Sequence, residues 1–388
     1  MRKSKLVALI IAVTLILSVF SACSQSTEEP TVPSNGNQGT DTPGTDGPVA
    51  GIPLDEIKIG AIMNTNKEDG GWSQAMYESF LRAQAELGLR DDQLIMMEEI
   101  ADTGTVTENA LEMLVDSGCN MIFGTSSGYT NPTASISERY PDIFFHQFEG
   151  KTTDNLASFT TRDYQAIFMC GYAAARMSSV NELGFVAAQP QASVVRAVNA
   201  WAAGAKYANP DATVRVVWSN SWYDPAADKE NANSLFDSGV GAVGYHGSTT
   251  AVMQAAGEKG KYATGFHIDM EDYAPEAVLT SFTWNWTPTF VEFIEEVVAG
   301  TWTNATKFKG LEEGAASIAP FNADIMPADI IAECEEVQAK VAKGEIKVFE
   351  GPLYDNKGEL LLEEGEEFAD EEWIGMMYLA DNVIGNLP

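Results

Sequence analysis

The stretch Thr213-Val214-Arg215-Val216-Val217-Trp218, followed by Asn220-Ser221-Trp222-Tyr223-Asp224-Pro225, has the pattern of a strand, a loop and a helix start. The first six residues are mostly β-branched or apolar, which favours a strand. Asp224 suits an N-cap, and Pro225 suits the first helical position because it has no backbone N–H to lose. Trp222 is therefore predicted in a loop at the carboxyl end of a strand, where open α/β sheets bind ligands.

A large aromatic residue in such a loop is either a hydrophobic plug or a platform on which a flat ligand stacks. We favour the platform, because a similar arrangement recurs where Trp72 opens a predicted helix directly after Gly70 and Gly71. For Trp72 the alternative is an ordinary helix residue packed on the core.

The chain between residues 57 and 299 alternates strand and helix patterns. The predicted strands are 57–63, 94–97, 120–123, 143–148, 183–187, 213–218, 242–245 and 262–268, and the predicted helices are 73–87, 105–115, 132–140, 162–178, 194–207, 225–236, 249–259 and 287–299. Repeated β-then-α units predict parallel sheets covered on both faces. The fold class is therefore α/β, with two doubly wound, Rossmann-like lobes joined by a hinge. A cleft between two such lobes is a typical ligand site.

The lobe boundaries follow from the two places where the chain is expected to cross from one lobe to the other, near 160–161 and near 281–283. Lobe 1 is predicted to comprise 54–161 and 284–320, and lobe 2 to comprise 162–283 and 321–388. The segments 316–319 and 327–343 are expected to complete the sheets.

The start of the chain has the pattern of an export signal. Arg2, Lys3 and Lys5 precede an apolar run at 6–20, and Ser21-Ala22-Cys23 follow. Small residues before a cysteine resemble a bacterial lipoprotein signal, which predicts a signal peptide at 1–22 and lipid on Cys23. Ordinary secretion is the alternative. Residues 23–53 then form a flexible linker rich in Ser, Thr, Gly and Pro, so the protein is expected on the outer side of the cell membrane.

The charge of the chain argues against nucleic acid as a partner. The chain has 56 Asp and Glu against 23 Lys and Arg, and a formal net charge of -33. Nucleic-acid binding is not expected, since phosphate neutralisation needs a basic surface. Acidic residues gather at 359–372, which we interpret as a solvated surface.

Beyond Cys23, the three cysteines Cys119, Cys170 and Cys334 show no metal-binding spacing and are predicted to be buried free thiols.

Three loops at predicted strand ends carry the unusual residues. They are the segment 64–72 ending in Trp72, the segment 124–132 with Ser126, Ser127, Gly128 and Tyr129, and the loop that holds Trp222. Two tryptophans from opposite lobes could stack on a flat ring, each contact contributing about 1–3 kcal/mol by analogy with bases on aromatic side chains. Polar groups of the second loop would then contact the edge of that ring.

These motifs resemble the basic membrane protein family. The resemblance rests on Gly70-Gly71-Trp72, Gly124-Thr125-Ser126-Ser127-Gly128-Tyr129, Phe148-Glu149-Gly150 and the stretch 220–225, and it covers nearly all of 57–320. Members are solute-binding lipoproteins of ABC transporters with a type I periplasmic-binding fold, and known ones bind purine nucleosides or bases. The resemblance implies that Trp72 and Trp222 lie on the ring faces, with Ser126, Ser127 and Tyr129 near its edge. It also implies an ABC permease as partner.

One departure from the family pattern concerns the ribose. Nucleoside-binding members have an acidic residue where His267 stands, before Ile268-Asp269, and a lysine where Trp284 aligns. The chain therefore favours a free purine base such as adenine, with nucleosides as the alternative. His246 and His267 both end predicted strands, so both are candidates to face the cleft with Asp269 and Trp284. The alternative is that the histidines are solvent-facing or supporting residues.

Other classes are less well supported. Gly124-Thr125-Ser126-Ser127-Gly128 fits the G-x-S-x-G pattern of hydrolases, but Pro132 would interrupt the helix that such an elbow requires. A metal site along the segment 267–271 lacks a full ligand set. A sugar receptor with the same fold would need more carboxylates and amides than Asn66, Asp69 and Asn220 provide. No catalytic residue, metal or cofactor is expected.

Overall fold

Two β-sheets organise residues 51–388, the part of the chain that the computed structural model describes. The strands are β1 (Ile59–Ile62), β2 (Leu94–Met97), β3 (Met121–Gly124), β4 (Phe144–Phe148), β5 (Leu156–Thr161), β6 (Glu182–Ala187), β7 (Thr213–Trp218), β8 (Ala242–His246), β9 (Tyr262–Gly265), β10 (Val278–Trp284), β11 (Lys307–Lys309), β12 (Ala316–Ile318), β13 (Leu353–Tyr354), β14 (Leu360–Leu362) and β15 (Val383–Ile384).

The helices lie mostly between consecutive strands, as in repeated βα units. They are α1 (Trp72–Leu87), α2 (Gly104–Asp116), α3 (Thr130–Arg139), α4 (Asp163–Met177), α5 (Ala192–Ala208), α6 (Pro225–Ser238), α7 (Ala251–Lys259), α8 (Thr287–Ala299), α9 (Ala328–Ala342) and α10 (Asp370–Ile374). Short 3-10 turns occur at Asp91–Gln93, Ser127–Tyr129 and Glu271–Tyr273. None of the helices in the described range is both long and apolar enough to cross a membrane.

The sheet topology confirms the predicted α/β fold with two doubly wound units. Sheet 1 has the order β11-β5-β4-β3-β1-β2 and sheet 2 the order β12-β10-β9-β8-β6-β7-β15. Within these two sheets all neighbours are parallel except the antiparallel pair β10–β12, and β13 and β14 form a separate antiparallel pair. The strand order reverses between β1 and β3 in sheet 1 and between β6 and β8 in sheet 2. Loops that leave these strands at their carboxyl ends border a crevice suited to a ligand.

We call sheet 1 with α1–α3 and α8 half 1, and sheet 2 with α4–α7 and α9 half 2. Helix α8 belongs with half 1 because Phe290 stacks on Phe80 of α1, with ring centroids 3.9 Å apart. Helices α4 and α5 pack closely on one another against sheet 2. Their many alanines and glycines allow this close approach, which explains why much of both helices is buried.

Local signals set several boundaries as predicted. The Asp224 side chain accepts a hydrogen bond from the Ala227 backbone N–H (3.0 Å), with Pro225 as the first residue of α6. The helix ends at Gly239, which has a φ of +103°, a conformation that glycine adopts without steric cost. The cap-and-proline signal therefore fixed where the Trp222 loop ends.

Several strands were missed from the sequence, and two of them, β5 and β10, lie where the chain was expected to cross between the lobes. Both expected crossings lie in strands: 160–161 end β5 in sheet 1, and 281–283 lie within β10 in sheet 2. Their Ser and Thr residues resemble a connection, yet they are buried because the strands run inside the sheets. In addition, β12 pairs with β10 of sheet 2, although 316–318 fall within the segment assigned to lobe 1. The exact lobe boundaries remain a prediction.

The acidic stretch 359–372 is largely the solvated surface that was predicted: its seven glutamates are exposed, and Asp370 is half-buried. Strand β15 adds to sheet 2 beside β7, and Trp373, which directly follows the acidic stretch, is fully buried. Asp370 accepts two hydrogen bonds from Arg162 (2.9 and 2.6 Å).

The cysteine prediction is confirmed. Cys119, Cys170 and Cys334 are free and buried, and burial raises the pKa of the three thiols to about 11, 12 and 12 respectively. Cys23, the signal peptide and nearly all of the linker lie outside the described residues.

Candidate ligand-binding site

Trp72 lies where half 1 meets half 2. Its indole Nε1 donates a hydrogen bond to the Thr125 carbonyl oxygen (2.9 Å), which ties the start of α1 to the loop after β3. The ring centroid is 4.7 Å from that of Phe148, 5.2 Å from that of Trp284 and 5.7 Å from that of Trp286. Trp72 is therefore a fixed, half-buried wall of the crevice, held by contacts on several sides.

Trp222 is placed differently. As predicted, it lies in the loop between β7 and α6, and it is 43% exposed. Its carbonyl oxygen accepts a hydrogen bond from the Ser248 backbone N–H (3.1 Å), which joins the loops after β7 and β8. The ring neighbour of Trp222 is His246, with centroids 6.1 Å apart. Within residues 51–388 the two indoles are not in ring contact with each other.

His246 ends β8 and is 6% exposed. Its ring packs on Phe266 at 4.1 Å, and Nδ1 is buried without a hydrogen-bond partner among the described residues. Burial, followed by the charges of His267 and Arg196, lowers its pKa well below the usual value. The imidazole is therefore neutral and can accept or donate one hydrogen bond.

His267 and Trp284 form a pair. The Trp284 Nε1–H donates to His267 Nδ1 at 2.8 Å, so neutral His267 carries its proton on Nε2. The two side chains are 7% and 9% exposed, and burial lowers the His267 pKa to about 4. His267 does not end a strand, since β9 stops at Gly265 and His267 has a φ of +74°. The alternation on which a metal site along 267–271 depended is therefore absent from this segment.

The two halves touch at this pair. A methyl group built on Gly71 of half 1 would lie 3.5 Å from Ser248 Oγ and 3.6 Å from His267 Cδ2, both in half 2. Trp284 of sheet 2 also stacks on Trp286, with centroids 5.3 Å apart and planes 16° apart. The aromatic residues thus form one continuous surface across the junction.

The loop after β3 presents fewer polar side chains to the crevice than predicted. Ser127 and Gly128 are exposed, whereas Ser126 is buried and its hydroxyl accepts from the Gly128 N–H (3.4 Å). Tyr129 is fully buried in the half 1 core, and its hydroxyl donates to the Ile100 carbonyl oxygen (2.5 Å). The predicted position of Tyr129 at a ligand edge therefore does not match its place in the core. Asp269 is exposed and accepts from the Glu271 N–H (3.1 Å), outside the aromatic surface.

Several site-forming residues were not singled out from the sequence. Phe148 and Trp286 complete the wall around Trp72, and Phe266 supports His246. Asp228 is buried and accepts from the hydroxyls of Tyr245, Thr249 and Ser219, at 2.8, 2.7 and 2.5 Å. These bonds connect the loops that carry Trp222 and His246. Phe148 is the first residue of the family-like motif Phe148-Glu149-Gly150, and this is the one sequence signal that could have indicated any of these residues.

Comparisons with known proteins agree with this architecture. Residues 56–351 match the family Bmp, described as ABC transporter substrate-binding protein PnrA-like. A purine-binding protein of Brucella abortus is 32% identical over 335 residues, which cover 86% of this chain and 95% of the relative. A putative ABC transporter glucose-binding protein of Haloferax volcanii is 30% identical over 285 residues, covering 73% of this chain and 70% of the relative.

A solved ABC transporter solute-binding protein of Conexibacter woesei has the same fold, with a TM-score of 0.64 and 20% identity. The match covers 75% of this chain and 98% of that one. The resemblance noted from the sequence is thus confirmed, and the chain belongs to the Bmp family of PnrA-like ABC transporter substrate-binding proteins.

Proposed function

We propose that this substrate-binding protein captures a free, uncharged purine base of the adenine type between its two halves. The observation that carries the proposal is the pairing of the exposed Trp222 ring with the buried His246 Nδ1, which has no hydrogen-bond partner within residues 51–388. A flat heterocycle would stack on the indole and exchange a hydrogen bond with the imidazole. Trp72 and its aromatic neighbours would supply the opposing apolar wall.

A base is favoured over a nucleoside by the His267–Trp284 pair. The family resemblance puts ribose-binding groups at these two positions, whereas here they bond to each other and are almost fully buried. A ribose would have to break that bond and leave polar atoms without partners, which costs free energy. The purine-binding relative from Brucella abortus supports the same ligand class.

A sugar is the second candidate. The Haloferax volcanii relative is described as a putative glucose-binding protein, and aromatic walls also stack on sugar rings. Sugars need several carboxylate or amide partners for their hydroxyls. Asn66, Asp69 and Asn220 are candidates, but two of them are committed: Asn66 accepts from the Glu68 N–H and Asp69 from several N–H groups at the start of α1. The purine therefore remains the better-supported ligand.

The remaining parts of the proposal concern delivery. Lipid on Cys23 would anchor the protein outside the cytoplasmic membrane, the segment 23–53 would act as a tether, and an ABC permease would receive the ligand. We assign no catalytic role, because the hydroxyl of Ser126 in the G-x-S-x-G pattern bonds to its own loop and the chain belongs to a family of substrate-binding proteins.

A ligand screen tests the function. Thermal unfolding is measured with adenine, guanine, xanthine, adenosine and hexoses, and titration calorimetry follows each shift. Ligand at a hundredfold over its dissociation constant stabilises the folded state by about 2.7 kcal/mol. A shift with a base but not with adenosine supports the proposal, whereas a shift with a hexose alone overturns it. Mass spectrometry of co-purified small molecules gives an independent answer.

The anchor requires a separate test. Incorporation of labelled fatty acid into the wild-type protein, compared with Cys23→Ala, measures lipidation directly. Equal labelling of the two proteins, or none in either, would contradict the lipoprotein assignment.

A further inference from the structure

A buried cluster of charged side chains joins the two halves beside the aromatic surface. Arg196 of α5 is 2% exposed. Its Nε donates to Asp163 Oδ1 (2.8 Å) and its Nη2 to Asp163 Oδ2 (3.0 Å). Asp163 is the first residue of α4, just after the chain leaves sheet 1. This two-bond pair lies within half 2 and does not depend on half 1.

Glu149 extends the group into half 1. It directly follows β4, and its Oε1 accepts from the Thr160 hydroxyl of β5 (3.4 Å), so sheet 1 holds the carboxylate. The same oxygen lies 3.7 Å from Arg196 Nη2. The preceding residue, Phe148, contacts Trp72. The ion contact therefore crosses between the halves next to the wall of the proposed site.

The surroundings strengthen this contact. Trp373 of α10 covers the guanidinium, with Arg196 Cζ 4.8 Å from the ring centroid. Arg196 Nη1 has no hydrogen-bond partner within residues 51–388. In such a buried setting an ion contact is screened far less than one at the surface, and loss of one partner is costly. Burial raises the pKa of Glu149 and Arg196 opposes that rise, so the carboxylate is best ionised while Arg196 is near.

We propose that Glu149 and Arg196 are positioning residues for ligand capture, whose ion contact holds the two halves together without touching the ligand. Separation of the halves would break the contact and hydrate both groups. The contact therefore favours the closed arrangement, in which the two halves touch. A ligand that binds only to this arrangement binds more tightly when a larger fraction of the protein adopts it. This inference rests on the proposed capture of a small molecule between the halves.

The variant that tests it is Glu149→Gln, which removes the charge but keeps the size and the hydrogen bond to Thr160. Glutamine meets the same backbone constraint as glutamate at φ +47°, so strain is unchanged. The matched control is Glu112→Gln, which removes an exposed ion pair with Arg139 inside half 1. Hydrogen exchange of the unliganded proteins at pH 8 is compared in segments 69–76 and 246–252, which face each other across the junction. Segment 104–116, within half 1, is the reference.

We expect exchange in both junction segments to be at least about threefold faster in Glu149→Gln, with segment 104–116 and the Glu112→Gln protein unchanged. Small-angle scattering should show a larger radius of gyration. Adenine affinity should fall about tenfold, as expected when the binding-competent state becomes less populated.

Two results would overturn the inference: exchange equal to wild type, whether or not adenine binding weakens, or acceleration spread evenly over all segments. Arg196→Lys serves as a second variant: it keeps the positive charge but loses the guanidinium group that bonds to both Asp163 oxygens. Hydrogen exchange in the same two junction segments should be faster in this variant. If wild-type protein binds no purine, the proposed function fails, yet the exchange comparison without ligand still decides the role of the ion contact.

Discussion

Trp72 and Trp222 occupy equivalent places, each in a segment that connects a strand end to a helix, but the structure treats them differently. Within residues 51–388, the Trp72 indole donates a hydrogen bond and contacts three aromatic rings. The Trp222 side chain is 43% exposed, and its ring neighbour is His246. The first ring is already ordered before a ligand arrives, so its contribution to binding carries little ordering cost. The second has room to receive a stacking partner. The comparison indicates a fixed wall in half 1 and an open platform in half 2.

Acid pH should have the largest effect, because it charges three buried histidines, two of which lie beside the proposed site. Burial lowers the pKa of His146 to about 3, that of His267 to about 4 and that of His246 well below its usual value. The unfolded chain binds these protons below about pH 6.5, so stability is complete above that pH and falls toward the folded pKa. Each histidine contributes up to roughly 1.4 kcal/mol per pH unit in this window.

Urea denaturation at pH 7.5, 6.0 and 5.0 measures this effect. The His267→Asn protein should show a shallower decline, since one of the three groups no longer titrates. Stability that stays constant from pH 7.5 to 5.0 would contradict the burial of neutral histidines.

Trp72→Ala should come next. It removes a half-buried ring from the aromatic wall and should lower the free energy of unfolding by about 2–4 kcal/mol. Purine affinity should also fall at least about tenfold, because one stacking face is lost. Denaturation and calorimetry measure the two effects, and Trp72→Phe is the control that keeps a ring but loses the bond to Thr125. Normal stability in Trp72→Ala would mean that the wall is not a packed unit.

Trp284→Phe should have a smaller effect. The ring is largely retained, but His267 Nδ1 loses its donor, which should cost about 1 kcal/mol. Loss of a donor to the neutral imidazole should raise the His267 pKa from its value of about 4, which NMR titration can follow. An unchanged pKa would show that the indole does not fix the His267 tautomer.

Trp222→Ala should have the smallest effect on folding, within about 0.5 kcal/mol, because the ring is exposed. Its effect on purine affinity should nevertheless match that of Trp72→Ala, at least about tenfold. Tyr223→Ala is the matched control, since Tyr223 is the adjacent aromatic residue and is 66% exposed. If both variants bind purine like wild type, Trp222 is not the platform.

Local patterns predicted most of the fold. Strands with β-branched runs and helices with clear caps, such as β7 and α6, were placed to within a residue or two. Strands β5 and β10 were missed because serine and threonine within them resemble a loop, and only pairing inside a sheet makes such residues strand-forming. The positions of Trp222 between β7 and α6 and of Trp72 at the start of α1 were predicted, whereas Tyr129 was assigned to a ligand edge although it packs in the core. Its burial depends on neighbours distant in sequence, such as Ile100.

The amino-acid sequence by itself determined the alternating α/β pattern, the acidic charge, the loops that hold Trp72 and Trp222, and the family. These depend on propensities, caps and motifs, which act over a few residues. Tertiary structure decided which polar atoms are satisfied: Trp284 bonds to His267, Arg196 bonds to Asp163 and approaches Glu149, and His246 Nδ1 is left without a partner in the described part of the chain. Such pairings join residues 17 to 47 positions apart, and only the tertiary packing of strands, helices and loops brings them within hydrogen-bonding or ion-pairing distance.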